Sequence, residues 1–133
     1  MALDLGDARI GVAISDDRRR MAVPLGTIRT GAPQDLKAIA AMVRDNDVTL
    51  VVVGHPLSMS GHAGPRARSA EEFAGALRSF LDVPVVLHDE RLSTVEAERA
   101  LRAAGAGGRD RRRIVDRQAA TVILQSYLDL KRG

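Results

Sequence analysis

Three acidic residues occupy positions where a carboxylate carries a cost or a purpose: Asp4, Glu90 and Asp116. Asp4 lies inside the apolar run ALDL, where a charge without a partner is expensive. Glu90 closes the apolar segment VPVVLHD, and Asp116 falls in the first turns of the last predicted helix, whose N-terminal dipole favours an anion. Asp4 alone reads more readily as a hydrogen-bonded structural aspartate beside a turn, because buried charges are mostly paired for structural reasons, and it is the two further acids that turn the reading towards a site. Brought together, three carboxylates raise one another's pKa, and a hard divalent cation with oxygen ligands relieves that repulsion. Two such ions about 4 Å apart can activate a water and stabilise the leaving oxygen in phosphodiester hydrolysis. Mg2+ or Mn2+ suits such a donor set. Spacing in sequence does not make these acids meet, so the elements that carry them must.

The other polar candidates have plainer explanations. Asp7, Asp16 and Asp17 sit in predicted turns, which aspartate favours. Asp89 alternates with Glu90, so the two are expected on opposite faces of a strand. His55, His62 and His88 lack a metal-binding spacing, no serine lies in a G-x-S-x-G elbow, and the loop over 54–64 has glycines but no GK[ST]. The basic run Arg109, Arg111, Arg112 and Arg113 is more informative. Asp110 could cap the last helix, and arginines in its first turn would then oppose the dipole, a conflict that a phosphate backbone would remove. With Arg91 and Arg117 these are the candidate nucleic-acid contacts. The plainer alternative is a solvated, glycine-rich loop.

The composition sets the bounds. With 133 residues, 45% of them hydrophobic, residues 1–133 are expected to form a single domain around one core. Lys plus Arg exceed Asp plus Glu by 20 to 17, a net charge of +3 that permits an anionic partner without requiring one. Lys37 and Lys131 are the only lysines; the arginine bias fits phosphate recognition, and codon bias would produce it as well. Phe73, Phe80 and Tyr127 are the only aromatics, which argues against base-stacking platforms and an RRM. The lack of cysteine excludes disulfides and thiolate metal sites. No apolar run approaches the roughly 20 residues of a membrane span, and no signal-peptide pattern opens the chain. A cytoplasmic protein with no membrane partner is expected.

Stepping along the chain, ALDL (2–5) and IGVAIS (10–15) are short apolar runs joined by GDAR, a tight hairpin, and AVPLGTI (22–28) adds a third strand after the turn DDRRR. Pro24 and Gly26 place that strand near an edge. Leu36, Ile39, Ala40 and Val43 have helical spacing over 34–46, and LVVVG (50–54) reads as a strand buried on both faces. A helix over about 66–81, with Ser69 and Glu72 spaced as a capping box, leads to a second buried strand over 83–89. Ser93 and Glu96 open a further helix that Gly105 can end. The last helix, about 111–131, aligns Val115, Ala119, Val122, Ile123, Ser126 and Leu130 on one side. The order β-β-β-α-β-α-β-α-α predicts an α/β fold, a five-stranded mixed sheet of three antiparallel then two parallel strands, flanked by helices.

Four blocks carry a resemblance: LDLGDARIGVAISD (3–16), VVVGHPLSMSG (51–61), HDERLST (88–94) and VDRQAATVILQSYL (115–128). In that order and spacing they resemble the signature blocks of the YqgF family. The resemblance implies an RNase H-like fold and a nuclease, acting in maturation of pre-16S ribosomal RNA or in Holliday-junction resolution. It makes Asp4 the first-strand carboxylate, Glu90 the strand-end one and Asp116 the last-helix one, together holding metal. The chain departs from the family where GHPLSMSG stands for the usual GLPLNMDG, with His55, Ser58 and Ser60 replacing leucine, asparagine and aspartate. Only Met1, Ala2 and Leu3 precede Asp4, fewer residues than members usually carry. That feature favours the alternative, a nucleic-acid-binding or ribosome-assembly factor without catalysis. An actin-like ATPase, suggested by the DLG turn, would need two domains to clamp its nucleotide. RNA and DNA present the same phosphates to arginine, so both stay open. Symmetric cutting of a four-way junction would call for two active sites, and so for a homodimer.

Overall fold

The computed structural model describes residues 1–93 and 109–132, with side chains over 1–93 and 119–131. Strands β1 (Ala2–Leu5), β2 (Arg9–Ser15) and β3 (Ala22–Arg29) form an antiparallel meander. Helix α1 (Gln34–Asp45) leads to β4 (Val51–His55), and α2 (Pro65–Arg78) leads to β5 (Val85–Asp89). A short 3-10 turn, Glu90–Leu92, follows, and α3 (Arg109–Arg132) ends the described chain. The sheet order is β3-β2-β1-β4-β5, with β4 parallel to both β1 and β5. The predicted mixed five-stranded sheet is therefore observed.

Strict alternation along the strands splits the core into two layers. Leu3, Ile10, Val12, Val51 and Val53 face α1 and α2, meeting Leu36, Ile39, Val43, Ala70, Ala74 and Leu77. Ala2, Ala13, Ala22 and Val52 face α3, meeting Ala119, Ala120, Ile123, Leu124 and Leu128. Alanines on both sides of this second interface let a long helix lie close to the sheet. Gln125 fastens it: its Oε1 accepts from the Ala22 amide at 2.9 Å, and its Nε2 donates to the Arg20 carbonyl at 2.9 Å.

The hairpin at GDAR closes with the Gly6 amide donating to the Arg9 carbonyl at 2.9 Å. The turn after β2 is organised by Asp16, whose carboxylate accepts from the amides of Arg20 and Met21, as its turn assignment predicts. Those bonds hold its pKa below the usual carboxylate value.

Several predictions of detail are corrected. Helix α2 begins at Pro65 with Gly64 at its N-cap, so Ser69 lies a turn inside and the Ser69–Glu72 capping box does not form. Proline's preset φ makes it a natural first helical residue, and that starts the helix earlier. Strand β5 is the sheet's second edge, so Val86 and Leu87 are only partly buried. Helix α3 starts at Arg109, which puts Asp110 inside the helix and not at its cap. Leu130 is exposed, and Leu124 and Leu128 supply the buried stripe in its place. The helix expected from the Ser93–Glu96 capping box to Gly105 falls on 94–108, outside the described residues. Among the described residues no helix is long and apolar enough to cross a membrane.

Candidate active site

The C-terminal ends of β1, β4 and β5 meet at one cleft of about 230 Å³, lined by Asp4, Asp7, Gly54, Arg66, Ser69 and Glu90 among others. By strand alternation Asp4 shares the α3-facing side of the sheet with Ala2. The parallel register pairs Ala2 with Val52 and Leu3 with Val53, so Gly54 is the neighbour of Asp4 on the adjacent strand. Glu90 reaches the same spot from the end of β5. A Cβ built on Gly54 would stand 2.8 Å from Glu90 Oε1 and 2.7 Å from Ile123 Cδ1. The missing side chain of Gly54 is thus the space in which the Glu90 carboxylate lies. Asp4 is 3% exposed and Glu90 1%. Strand β4 separates the strands that carry them, and the glycine at its end lets the two acids approach one cleft across it.

The neighbouring polar residues are held by their own partners. Asp89, on the opposite face from Glu90 as expected, receives Arg91 through both carboxylate oxygens, the shortest contact being 2.7 Å. That guanidinium holds the Asp89 carboxyl below its usual value, and the carboxylate in turn raises the Arg91 pKa. Arg91 also lies against Gly61, whose φ of +87° suits glycine, so the pair braces the loop between β4 and α2. In that loop Ser58 Oγ accepts from the His62 amide and meets Ser60 Oγ at 3.0 Å. The two serines of GHPLSMSG therefore close the loop on itself. His55 Nε2 meets Glu71 Oε2 at 3.0 Å, a surface role consistent with its lack of metal spacing.

His88 ties β5 to α3. Its Nε2 is 3.0 Å from Ser126 Oγ, which also donates to the Leu92 carbonyl, and its ring stands edge-on to Tyr127. Burial lowers the His88 pKa, against a smaller opposing pull from Asp89. The unfolded chain therefore binds this proton more readily than the folded one does. Stability is expected to be full above pH 6.5, the ordinary histidine value, and to fall as pH drops below it towards the folded pKa. Chemical denaturation of wild type and His88→Gln between pH 5 and 8 checks this; equal pH slopes for the two would refute it.

A family model described as RuvX, Holliday junction resolvase, matches residues 1–130. The chain belongs to the RuvX family. A relative from Anaeromyxobacter dehalogenans (strain 2CP-C) is 52% identical over 130 residues, 97% of this chain and 95% of its own length. One from Geobacillus kaustophilus (strain HTA426) is 47% identical over 135 residues, covering 99% and 98%. A third, from Roseiflexus sp. (strain RS-1), is 46% identical over 134 residues, covering 99% and 94%. All three bear the name "Putative pre-16S rRNA nuclease". The resemblance read from the four sequence blocks is borne out.

Of the acids expected to meet in this RuvX chain, Asp4 and Glu90 line one cleft. Asp116 lies in α3, seven residues beyond the start at Arg109. That is too deep for the N-terminal dipole, whose influence fades within the first turn. The backbone of Arg109, Arg111, Arg112, Arg113 and Arg117 is helical, so the run is not a solvated loop; these side chains and that of Asp116 lie outside the description. Among the described residues no three His, Asp or Glu side chains are grouped to hold a metal. Sequence reasoning missed Gly54, Asp7 and Arg66 as parts of the cleft. Gly54 left a faint signal, since a glycine ending a valine strand marks a close approach.

Proposed function

We propose that this chain, as a single domain acting in the cytoplasm, is a metal-dependent endonuclease that hydrolyses phosphodiester bonds in structured nucleic acid. The substrate is precursor ribosomal RNA, as the names of its relatives suggest, or a four-way DNA junction, as the family description suggests. The junction reaction calls for a homodimer, since two strands are cut. The observation that carries the reading is the cradle at Gly54, where the buried Glu90 carboxylate lies, in a cleft that Asp4 also lines at the end of the central strands. A cleft that offers hard oxygen donors and no thiolate fits Mg2+ or Mn2+. Asp116 completes the set. It is assigned by its place in the block VDRQAATVILQSYL, which resembles the family's last signature block.

When bound, the cation neutralises charge on the phosphate and makes water a stronger nucleophile. The protein's part is to hold Asp4 and Glu90 rigidly, one by the sheet and the other by the Gly54 cradle. Arginines Arg109, Arg111, Arg112, Arg113 and Arg117 at the start of α3 supply backbone contacts, with Arg91 beside the loop that it braces.

Cleavage of precursor ribosomal RNA fragments or four-way junctions should require Mg2+ or Mn2+, stop with chelator, and fall by more than about a hundredfold in Asp116→Asn. Binding of both substrates without cleavage under any metal would replace this reading with a nucleic-acid-binding factor.

A further inference from the structure

Among the described residues lining the cleft that holds Asp4, Asp7 and Glu90, Arg66 is the one base. Its surroundings invite an ion pair, yet it forms none with any described residue. The ion pairs among the described residues are Arg44–Asp45, His55–Glu71 and Arg91–Asp89. Arg91 shows what an engaged arginine looks like in this protein, both carboxylate oxygens of Asp89 being taken up. Arg66 stays exposed on the second residue of α2, and Ser69, one turn further on and also exposed, lines the same cleft. The first turn of α2 has no acidic residue and no side-chain cap.

A phosphate strand entering this cleft meets a wall of carboxylates. A cation at Asp4 and Glu90 offsets that repulsion for the bond being cut, and the next phosphate along the strand calls for a base of its own on the α2 side of the cleft. Resting on the nuclease reading above, we propose that Arg66, with the hydroxyl of Ser69, holds the phosphate adjacent to the scissile one. The guanidinium fork suits two phosphate oxygens at once, and serine adds a donor one helical turn away. The substrate is then a strand that continues past the cut along the start of α2, so that internal bonds are cleaved and dinucleotides are poor substrates.

The test measures binding apart from cutting. Affinities for a synthetic four-way DNA junction and for a stem–loop fragment of precursor ribosomal RNA are measured in chelator across a salt series, for wild type, Arg66→Ala and Arg66→Lys. Loss of one phosphate contact should reduce the slope of log affinity against log salt by about 0.9 on DNA, and about tenfold in affinity should go with it. Arg66→Lys should restore the slope but only part of the affinity, since an ammonium keeps the charge and loses the fork. In cleavage, Arg66→Ala should raise KM more than it lowers kcat, with an unchanged melting temperature because the side chain is exposed. A wild-type slope and affinity in Arg66→Ala would overturn the contact, even if cleavage is intact. An Arg66-dependent slope in a protein that cuts neither probe with Mg2+ or Mn2+ would keep the contact and sink the nuclease. Failure of wild type to bind either probe, in chelator and with Mg2+ or Mn2+ alike, would overturn both.

Discussion

Asp4→Asn is expected to abolish cleavage, by more than about a hundredfold, because amide for carboxylate keeps the shape of the side chain and removes the charged oxygen donor. Asp4 is 3% exposed at the centre of the sheet, on β1 between β2 and β4, and it lines one cleft with Glu90. Metal provides a second readout. An ion that binds the folded state alone stabilises it, by about 2.7 kcal/mol at a hundred times its dissociation constant. Wild type should therefore melt higher with added Mg2+ or Mn2+, and Asp4→Asn and Glu90→Gln should show little of that rise. Equal metal-induced shifts in wild type and both variants would remove these acids from the metal site, whatever the activity.

Period and turn chemistry made most of the fold legible. The apolar runs ALDL and IGVAIS, the GDAR turn, and the unbroken valines of β4 each follow from local rules that the tertiary structure did not override. The errors fall where two local signals competed. At α2 a Ser-x-x-Glu spacing competed with Gly-Pro four residues earlier, and proline's fixed φ decided the start. At β5 an apolar run resembled a central strand, but sheet position decides burial and sequence does not print strand order. The candidate acids could be named because a carboxylate inside or ending an apolar run is costly. That Asp4 and Glu90 share a cleft could not be read, because it depends on β4 inserting between their strands and on Gly54 leaving room. Arg66 was invisible for the same reason: nothing near it in the sequence announces three carboxylates that come from elsewhere in the chain.

Gly54→Ala is the substitution with the largest combined effect expected. In most strands a glycine costs stability, and alanine would be an improvement. Here the new methyl would stand 2.8 Å from Glu90 Oε1 and 2.7 Å from Ile123 Cδ1, distances that no side chain tolerates without movement. Ile123 is fully buried in the seam between α3 and the sheet, so it has no open space to move into. Glu90 is 1% exposed, and its backbone is fixed at the end of β5, where the Ser93 amide and hydroxyl both bond its main-chain carbonyl, so the methyl would have to displace the carboxylate. Overpacking of this kind costs about 1–3 kcal/mol, or about 3–15 °C in melting temperature for a domain of this size. The larger consequence is for chemistry, since displacement of a carboxylate by 1 Å can cost about a hundredfold in rate. Ile123→Val alongside Gly54→Ala separates the two effects. Trimming the isoleucine should recover much of the melting temperature, because the clash with α3 is relieved, but little of the activity, because the clash with Glu90 remains. Recovery of both together would mean that helix packing alone requires the glycine, and the carboxylate cradle would lose its support.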